Sequence, residues 1–355
     1  MRIVVNDIAA SYGGAMTILK GFYEYVCNND KENEWIFLLS DKYFEETDNV
    51  KIIVRQDIKN SGIKKFVFDL FAGKKFIDSF NPDVVFSLQN IITFGVKAPQ
   101  CTYIHQSLPY TKMKSFSFFK SSERVSAVYQ KLIGQLIHLS AKKANKVIVQ
   151  SKWMKEAVIE KTGISNSKIV NIMPDVEDLS QFKRDNVFDK RVFFYPTADN
   201  IYKNNDCIIE ACRILEKEGF TDFRVILTVS EGELKDLPEN IECRGRLSRE
   251  ELLDQYNRTT LLFPSYVETV GLPMLEARLM NSIVLASNCP FSTEVLEKYD
   301  NAYYFDPFKP QELAELMKKV ISGEINRNQV EGINQDHSIS SWQRIKDEVL
   351  EVASI

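Results

Sequence analysis

Glu268 and Glu276 stand eight positions apart in the run Glu268-Thr-Val-Gly-Leu-Pro-Met-Leu-Glu276, which reads as a loop closing onto a helix that starts near Pro273. Proline suits a first helical turn because its missing N–H would be unpaired there in any case. The amides of Thr269, Val270, Gly271 and Leu272 are then grouped around a helix entrance, and such an entrance attracts phosphate. Glu276, one turn into the helix, is placed to accept hydroxyl protons, while Glu268 stays on the loop after the apolar run 261–264. By spacing alone Glu268 is open to work as a general acid, a nucleophile or a positioning group. The implied ligand has an anionic middle and hydroxyls at its ends.

Three further clusters could serve the same ligand. In Tyr195-Pro-Thr-Ala-Asp-Asn-Ile-Tyr-Lys203-Asn-Asn205, Lys203 comes just before a helix and can bring a point charge to a diphosphate, reinforced by the helix dipole. Arg244-Gly245-Arg246 closes another strand, where either arginine could reach phosphate and the glycine lets a flat base approach. Gly13-Gly14 occupies a strand-to-helix turn that permits close backbone approach to a phosphate or sugar. It is neither the G-x-G-x-x-G fingerprint nor a phosphate loop with its lysine. His105 ends a strand and so reaches the mouth of a cleft, whereas His138 and His337 read as structural.

The elements that position these residues alternate between strand and helix, the mark of parallel α/β architecture. Strands are expected at 3–6, 35–39, 50–54, 84–88, 102–105 and 146–150, with helices at 15–27, 64–79, 122–144 and 152–161. After a break near Pro174 the series resumes with strands at 192–195, 223–229, 241–244, 261–264, 283–286 and 302–305. Its helices fall at 205–218, 249–257, 273–280, 292–296 and 310–321. The expected fold is two facing, doubly wound Rossmann-like domains, 1–172 and 173–339, with the helix of 340–355 packing back on the first domain. Ligands of such sheets bind outside the carboxyl ends of the strands, so the cleft between domains is the expected site.

Composition is that of an ordinary soluble protein, and no apolar stretch approaches the ~20 residues needed to span a bilayer. The amino terminus runs directly into a strand, so no cleavable signal is expected. Six scattered cysteines without C-x-x-C spacing favour a reduced compartment over disulfides or structural zinc. Charge is divided unevenly: residues 1–174 hold 24 Lys/Arg against 16 Asp/Glu, and residues 175–355 hold 21 against 33. In the basic half, Phe116, Phe118 and Phe119 lie among Lys112, Lys114 and Lys120. This pattern suits an anionic membrane surface, at about 1 kcal/mol per lysine near the headgroups. Nucleic acid is not expected, because the other half is strongly acidic and no recognition motif appears.

The segment Pro264-Ser-Tyr-Val-Glu-Thr-Val-Gly-Leu-Pro-Met-Leu-Glu-Ala277 resembles the signature of the family-4 retaining glycosyltransferases of the GT-B fold. The resemblance extends over nearly the full chain, through Gly13-Gly14, Val147 to Ser151, Lys168 to Pro174, Phe182 and Asn301 to Pro307. It implies a hexosyltransferase working on a UDP- or GDP-sugar donor; with no metal motif visible no metal or further cofactor is expected, and the cysteines and the basic aromatic face make it cytosolic and membrane-associated in expectation. The basic region from Phe116 to Lys120 suggests as acceptor a glycan or polyprenyl-diphosphate-linked oligosaccharide of a bacterial surface polysaccharide. By the same resemblance Glu276 binds ribose hydroxyls and Glu268 lies beside the transferred sugar and its phosphate. The loop amides and Lys203 serve the diphosphate, and His105 stands near the donor sugar. Transfer would be front-face, with the leaving phosphate taking the acceptor proton. Departures from the pattern are Thr197 in place of an arginine, for which Arg244 or Arg246 could substitute, Thr269-Val270 in place of Gly-Phe, and Asn281 in place of a glycine. Rival readings are a noncatalytic sugar-binding or scaffolding protein of the same fold, and a sugar epimerase.

Overall fold

The computed structural model describes residues 1–11, 13–59, 61–184, 188–328 and 339–354, so His337 lies outside the described residues. Seven strands, β1 (Arg2–Asp7), β2 (Glu34–Leu39), β3 (Val50–Val54), β4 (Val84–Ser87), β5 (Gln100–Ile104), β6 (Lys146–Val149) and β7 (Ile169–Asn171), form one parallel sheet in the order 3-2-1-4-5-6-7. Six more, β8 (Val192–Tyr195), β9 (Arg224–Leu227), β10 (Ile241–Cys243), β11 (Thr260–Phe263), β12 (Val284–Ser287) and β13 (Ala302–Phe305), form a second in the order 10-9-8-11-12-13. The central strands β4, β5, β11 and β12 are buried on both faces, as parallel strands covered by helices on both sides must be. Strand order reverses between β1 and β4 and again between β8 and β11, and these switch points are where open α/β sheets leave a crevice.

Most strand positions agree with the sequence pattern, and the differences have local causes. β7 was not anticipated, because its three residues just before Pro174 are too few to show a period. The expected helix over 64–79 is a set of shorter helical segments from Gly62 to Asp78 with a π turn at Phe68–Ala72, and a second π turn interrupts the following long helical run at Val128–Ile133. The helix after β1 starts at Gly13, whose φ of +65° favours glycine, so the glycine pair forms the helix entrance itself.

Beyond the second sheet the chain returns to the first. In the helix Ser341–Val352, Ile345, Val349 and Val352 are buried in the same core as Phe22, Trp35 and Phe86. Asp175 accepts from the Ser341 backbone at the start of this helix, and Lys146 pairs with Glu348 at 2.6 Å. Trp342 leans on Phe22 with ring centroids 6.0 Å apart, and a Cβ built on Gly21 would lie 2.7 Å from the Trp342 ring. Gly21→Ala in the helix Gly13–Asn29 therefore sets a helix-propensity gain of about 1 kcal/mol against an overpacking cost of about 1–3 kcal/mol. The expected outcome is a lower thermal unfolding midpoint; an unchanged or raised midpoint would show that the returning helix is not seated firmly on this face.

Candidate active site

Because β8 and β11 are neighbours in the second sheet, the loops that leave their carboxyl ends meet. After β8 a short turn, Ile201–Lys203, ends at Asn204 in the left-handed region (φ +61°). The Asn204 side chain donates to the carbonyls of Pro264, at 3.1 Å, and Pro307, at 2.7 Å, which ties this turn to the loop after β11. Tyr195 fixes the turn from below by donating its hydroxyl to the Lys203 carbonyl at 3.0 Å. Lys203 Nζ consequently reaches Glu268 Oε1 at 2.6 Å, and Ser265 Oγ lies 2.9 Å from the same oxygen. The two side chains are largely but not fully covered, 21% and 18% exposed, so a solute can still approach them. Burial works against the charge on Lys203, but Glu268, together with the nearby Tyr195 and Tyr202, opposes it, and the ammonium is held above the usual lysine range.

Gly271 is the residue before the helix Leu272–Leu279, with φ +80°. A Cβ there would lie 2.6 Å from Met274 Cε and 3.3 Å from the Phe263 ring, so both backbone and space require glycine. Pro273 contributes no donor and the Met274 amide is taken by the Gly271 carbonyl at 2.9 Å, so Leu272 brings the open amide at this helix entrance. The Val270 side chain is buried in the core and that of Leu272 is exposed, so this stretch offers a ligand its backbone before its side chains. Thr269 turns its carbonyl toward the first sheet, accepting from Ser151 Oγ at 2.8 Å and from Trp153 Nε1 at 2.7 Å.

One turn further, both oxygens of Glu276 are engaged: Oε1 by Arg249 Nη1 at 2.6 Å and Oε2 by the Tyr256 hydroxyl at 3.0 Å. Arg249 begins the helix Arg249–Arg258, which Ser248 and Glu251 close with a capping box, and its other amino group lies 3.6 Å from Glu177. Neither Arg249 nor Tyr256 was singled out from the sequence. The Ser248-x-x-Glu251 spacing locates the helix start, but the partner of Arg249 lies 27 residues away and leaves no local signal.

His105, just beyond β5, is held by Asn90: its backbone N–H donates to Asn90 Oδ1 at 2.7 Å and its Nε2 lies 3.1 Å from Asn90 Nδ2. With Asn90 donating, Nε2 is the acceptor and Nδ1 carries the hydrogen, and buried Nδ1 has no partner among the described residues. Burial pushes the imidazole down to about 4, so it is neutral near pH 7. His138 is buried against Tyr110, as a structural histidine would be. Gly13 and Gly14 face open space, with nothing within 4 Å of a built Cβ.

The structure does not bring the two arginines to the glutamates. Arg244 pairs with Glu242 at 2.5 Å, Arg246 is exposed, and neither contacts Lys203, Glu268 or Glu276 among the described residues. Thr197 is buried, with its amide on Thr228 and its hydroxyl 3.0 Å from Asn205, so that position contributes no cation. Asn281 adopts φ +60°, a conformation open to asparagine as well as glycine, and its side chain bonds Asn301 and the Asn328 carbonyl.

A further group escaped the sequence reading. Asp7, at the carboxyl end of β1, is fully buried with neither carboxylate oxygen hydrogen-bonded among the described residues. Burial raises its pKa to about 7, with Lys65 and Lys59 opposing. A folded-state pKa above the unfolded value means stability is fully present below pH ~4 and is lost as pH rises toward ~7. Asp7→Asn should therefore stabilise the protein relative to wild type by about 1–3 kcal/mol more at pH 8 than at pH 5. Urea unfolding at the two pH values checks this, and an equal effect at both would mean that Asp7 is not the titrating group.

With this geometry in place, comparison defines the fold and one domain. Residues 177–336 match the family model described as Glycosyl transferases group 1. The structure is similar to Anabaena Alr3699/HepE in complex with UDP-glucose (TM-score 0.60, 16% identity, covering 100% of this chain and 96% of that one). It is also similar to WaaG, a glycosyltransferase involved in lipopolysaccharide biosynthesis (TM-score 0.63, 12% identity, 90% of each chain). The two facing parallel-sheet domains thus form a GT-B fold, as the sequence implied. Among curated proteins the chain is similar to the O-antigen chain mannosyltransferase RfbU of Salmonella typhimurium, 26% identical over 235 residues. That match covers 62% of this chain and 64% of RfbU, a little less than two thirds of the relative's length. Together the domain match and this relative support a glycosyltransferase.

Proposed function

We propose that this chain is a retaining glycosyltransferase that moves a hexose from a UDP- or GDP-sugar to a hydroxyl of a glycan or lipid-linked oligosaccharide in surface polysaccharide synthesis. The observation that carries the reading is the meeting of Lys203 and Glu268 at 2.6 Å, on the loop that enters the Glu276 helix. Support for the donor class comes from the likeness to HepE, whose structure holds UDP-glucose, and support for the setting comes from the likeness to RfbU and WaaG.

In this reading residues 173–339 hold the donor and residues 1–172 hold the acceptor. Glu276, already steered by Arg249 and Tyr256, accepts from the ribose hydroxyls. Lys203, the open amides around Gly271 and the positive end of the helix Leu272–Leu279 take the charge that grows on the diphosphate as the C1–O bond breaks. The acceptor oxygen attacks C1 on the face from which the diphosphate leaves, so configuration is retained, and its proton passes to the departing phosphate oxygen. Glu268, occupied by Lys203 and Ser265, acts by position and electrostatics, and His105 stands near the donor sugar. Arg244 and Arg246 reach the diphosphate in this reading only by reorienting. No metal or other cofactor takes part: the positive charge that a bound divalent ion would bring is supplied by Lys203.

We place the enzyme in the cytoplasm, peripheral to the inner face of the membrane, with the basic first domain against anionic lipid. The structure changes which side chains can serve there. Phe116 is buried, stacked on Tyr266 across the domain boundary with centroids 6.3 Å apart, and Phe118 is partly buried under Lys131. Phe119 is 95% exposed beside Lys120, and Val125 and Leu132 are exposed on the following helical run. No described helix is long and apolar enough to cross a membrane.

Glu268→Ala is expected to lower transfer at least a hundredfold with nucleotide affinity within about threefold, whereas Glu276→Ala weakens UDP or GDP binding at least tenfold, about 1.4 kcal/mol. Calorimetric titration and nucleotide release with acceptor separate the two effects, and unchanged behaviour in both variants would refute the assignment. Transfer should also survive EDTA treatment at full rate; a loss restored by added Mg²⁺ would show that Lys203 does not suffice. Sedimentation with phosphatidylglycerol vesicles should fall as salt rises, and failure to pellet at low salt would remove the membrane claim.

A further inference from the structure

The loop that carries Glu268 is not held by its own domain alone. Ser151 is the residue before the helix Lys152–Thr162, a position from which a serine hydroxyl ordinarily caps its own helix. It makes no such cap, and donates across the domain boundary to the Thr269 carbonyl at 2.8 Å. The cap is taken over by the other domain, where Glu294 accepts from the Lys152 and Trp153 amides, each at 2.8 Å. Trp153 then adds its indole N–H to the same Thr269 carbonyl at 2.7 Å, and its ring packs near Phe291. The exchange leaves both sides satisfied only when the two domains are docked.

Its chemical consequence follows from the planarity of the peptide bond. The Thr269 carbonyl and the Val270 N–H belong to one trans peptide unit and point in opposite directions. Two hydrogen bonds that fix the oxygen toward the first domain therefore fix the Val270 N–H away from it, within the group of amides that opens the Glu276 helix. We infer that Ser151 and Trp153 are positioning residues for transfer: by pinning the Thr269 carbonyl they aim the Val270 amide at the donor diphosphate when the domains are closed. The inference rests on the proposed function. It adds that residues of the acceptor side prepare a donor-side amide for the transition state, so that leaving-group stabilisation depends on domain docking, while nucleotide affinity, anchored at Glu276, does not.

The test uses the full chain with Ser151→Ala, Trp153→Phe and the double variant, beside Ser151→Thr, which keeps the hydroxyl. UDP or GDP affinity is measured by calorimetric titration, and kcat and KM by nucleotide release with acceptor. The expected result is a kcat at least tenfold lower in the double variant, smaller losses in the single variants, recovery toward wild type in Ser151→Thr, and nucleotide Kd within about twofold throughout, a tenfold loss being about 1.4 kcal/mol of transition-state stabilisation. If the double variant does not fold, the comparison of Ser151→Ala with Ser151→Thr alone decides the matter. Equal kcat in all variants, with an active wild type, overturns this inference and leaves the functional reading intact. A Kd that weakens in step with kcat also overturns it, because the contacts would then serve the loop's general shape. A wild type that neither binds UDP or GDP nor transfers overturns the functional reading and the inference together.

Discussion

The ion pair between Lys203 and Glu268 is the constraint around which the second domain is arranged. Its two members come from separate loops, 65 positions apart in sequence, and are brought within hydrogen-bond distance only because β8 and β11 are adjacent at the switch point. A largely covered ammonium with no partner would be costly, by about 3–5 kcal/mol when a buried pair is broken. Glu268 therefore acts as resident counter-ion, keeping Lys203 charged and extended. In the proposed function an incoming diphosphate would meet a cation already in place, and the reorganisation that would otherwise accompany charge development would be largely avoided.

Other features of the site extend this arrangement. Asn204 and Tyr195 hold the lysine turn, Ser265 holds the glutamate, and Gly271 lets the chain bend into the helix without displacing Met274 or Phe263. Arg249 and Tyr256 engage both oxygens of Glu276, so the two glutamates are held in different ways: Glu268 by a lysine and a serine, Glu276 by an arginine and a tyrosine. The Thr269 carbonyl joins this group to the first domain through Ser151 and Trp153.

How much of this was legible in the sequence depended on range. The α/β alternation, the break near Pro174 and the loop entering a helix at Pro273 are local patterns of period and turn chemistry, and they placed most elements within a few residues. Glu268, Glu276 and Lys203 could be singled out because residue type and the expected strand-loop-helix setting agree at each. The contacts that organise them could not. Arg249 with Glu276, Ser151 with Thr269 and Asn204 with Pro307 join residues 27 to 118 positions apart, and nothing in a single sequence records such pairs. Aromatic residues misled for a related reason. Phe116 and Phe119 are three positions apart among the same lysines, yet one is buried against Tyr266 and the other is exposed, a difference set by the opposing domain. Asp7 was missed because a carboxylate at the end of a buried strand looks like the polar boundary of that strand.

Replacing Lys203 tests the central claim most directly. With the candidate UDP- or GDP-sugar and acceptor, nucleotide release by Lys203→Ala should fall about a hundredfold or more below wild type, as when a main charge-stabilising group is removed from a transition state. Release at the wild-type rate would contradict the account, because the cation around which these loops are built would then have no part in the departure of the diphosphate.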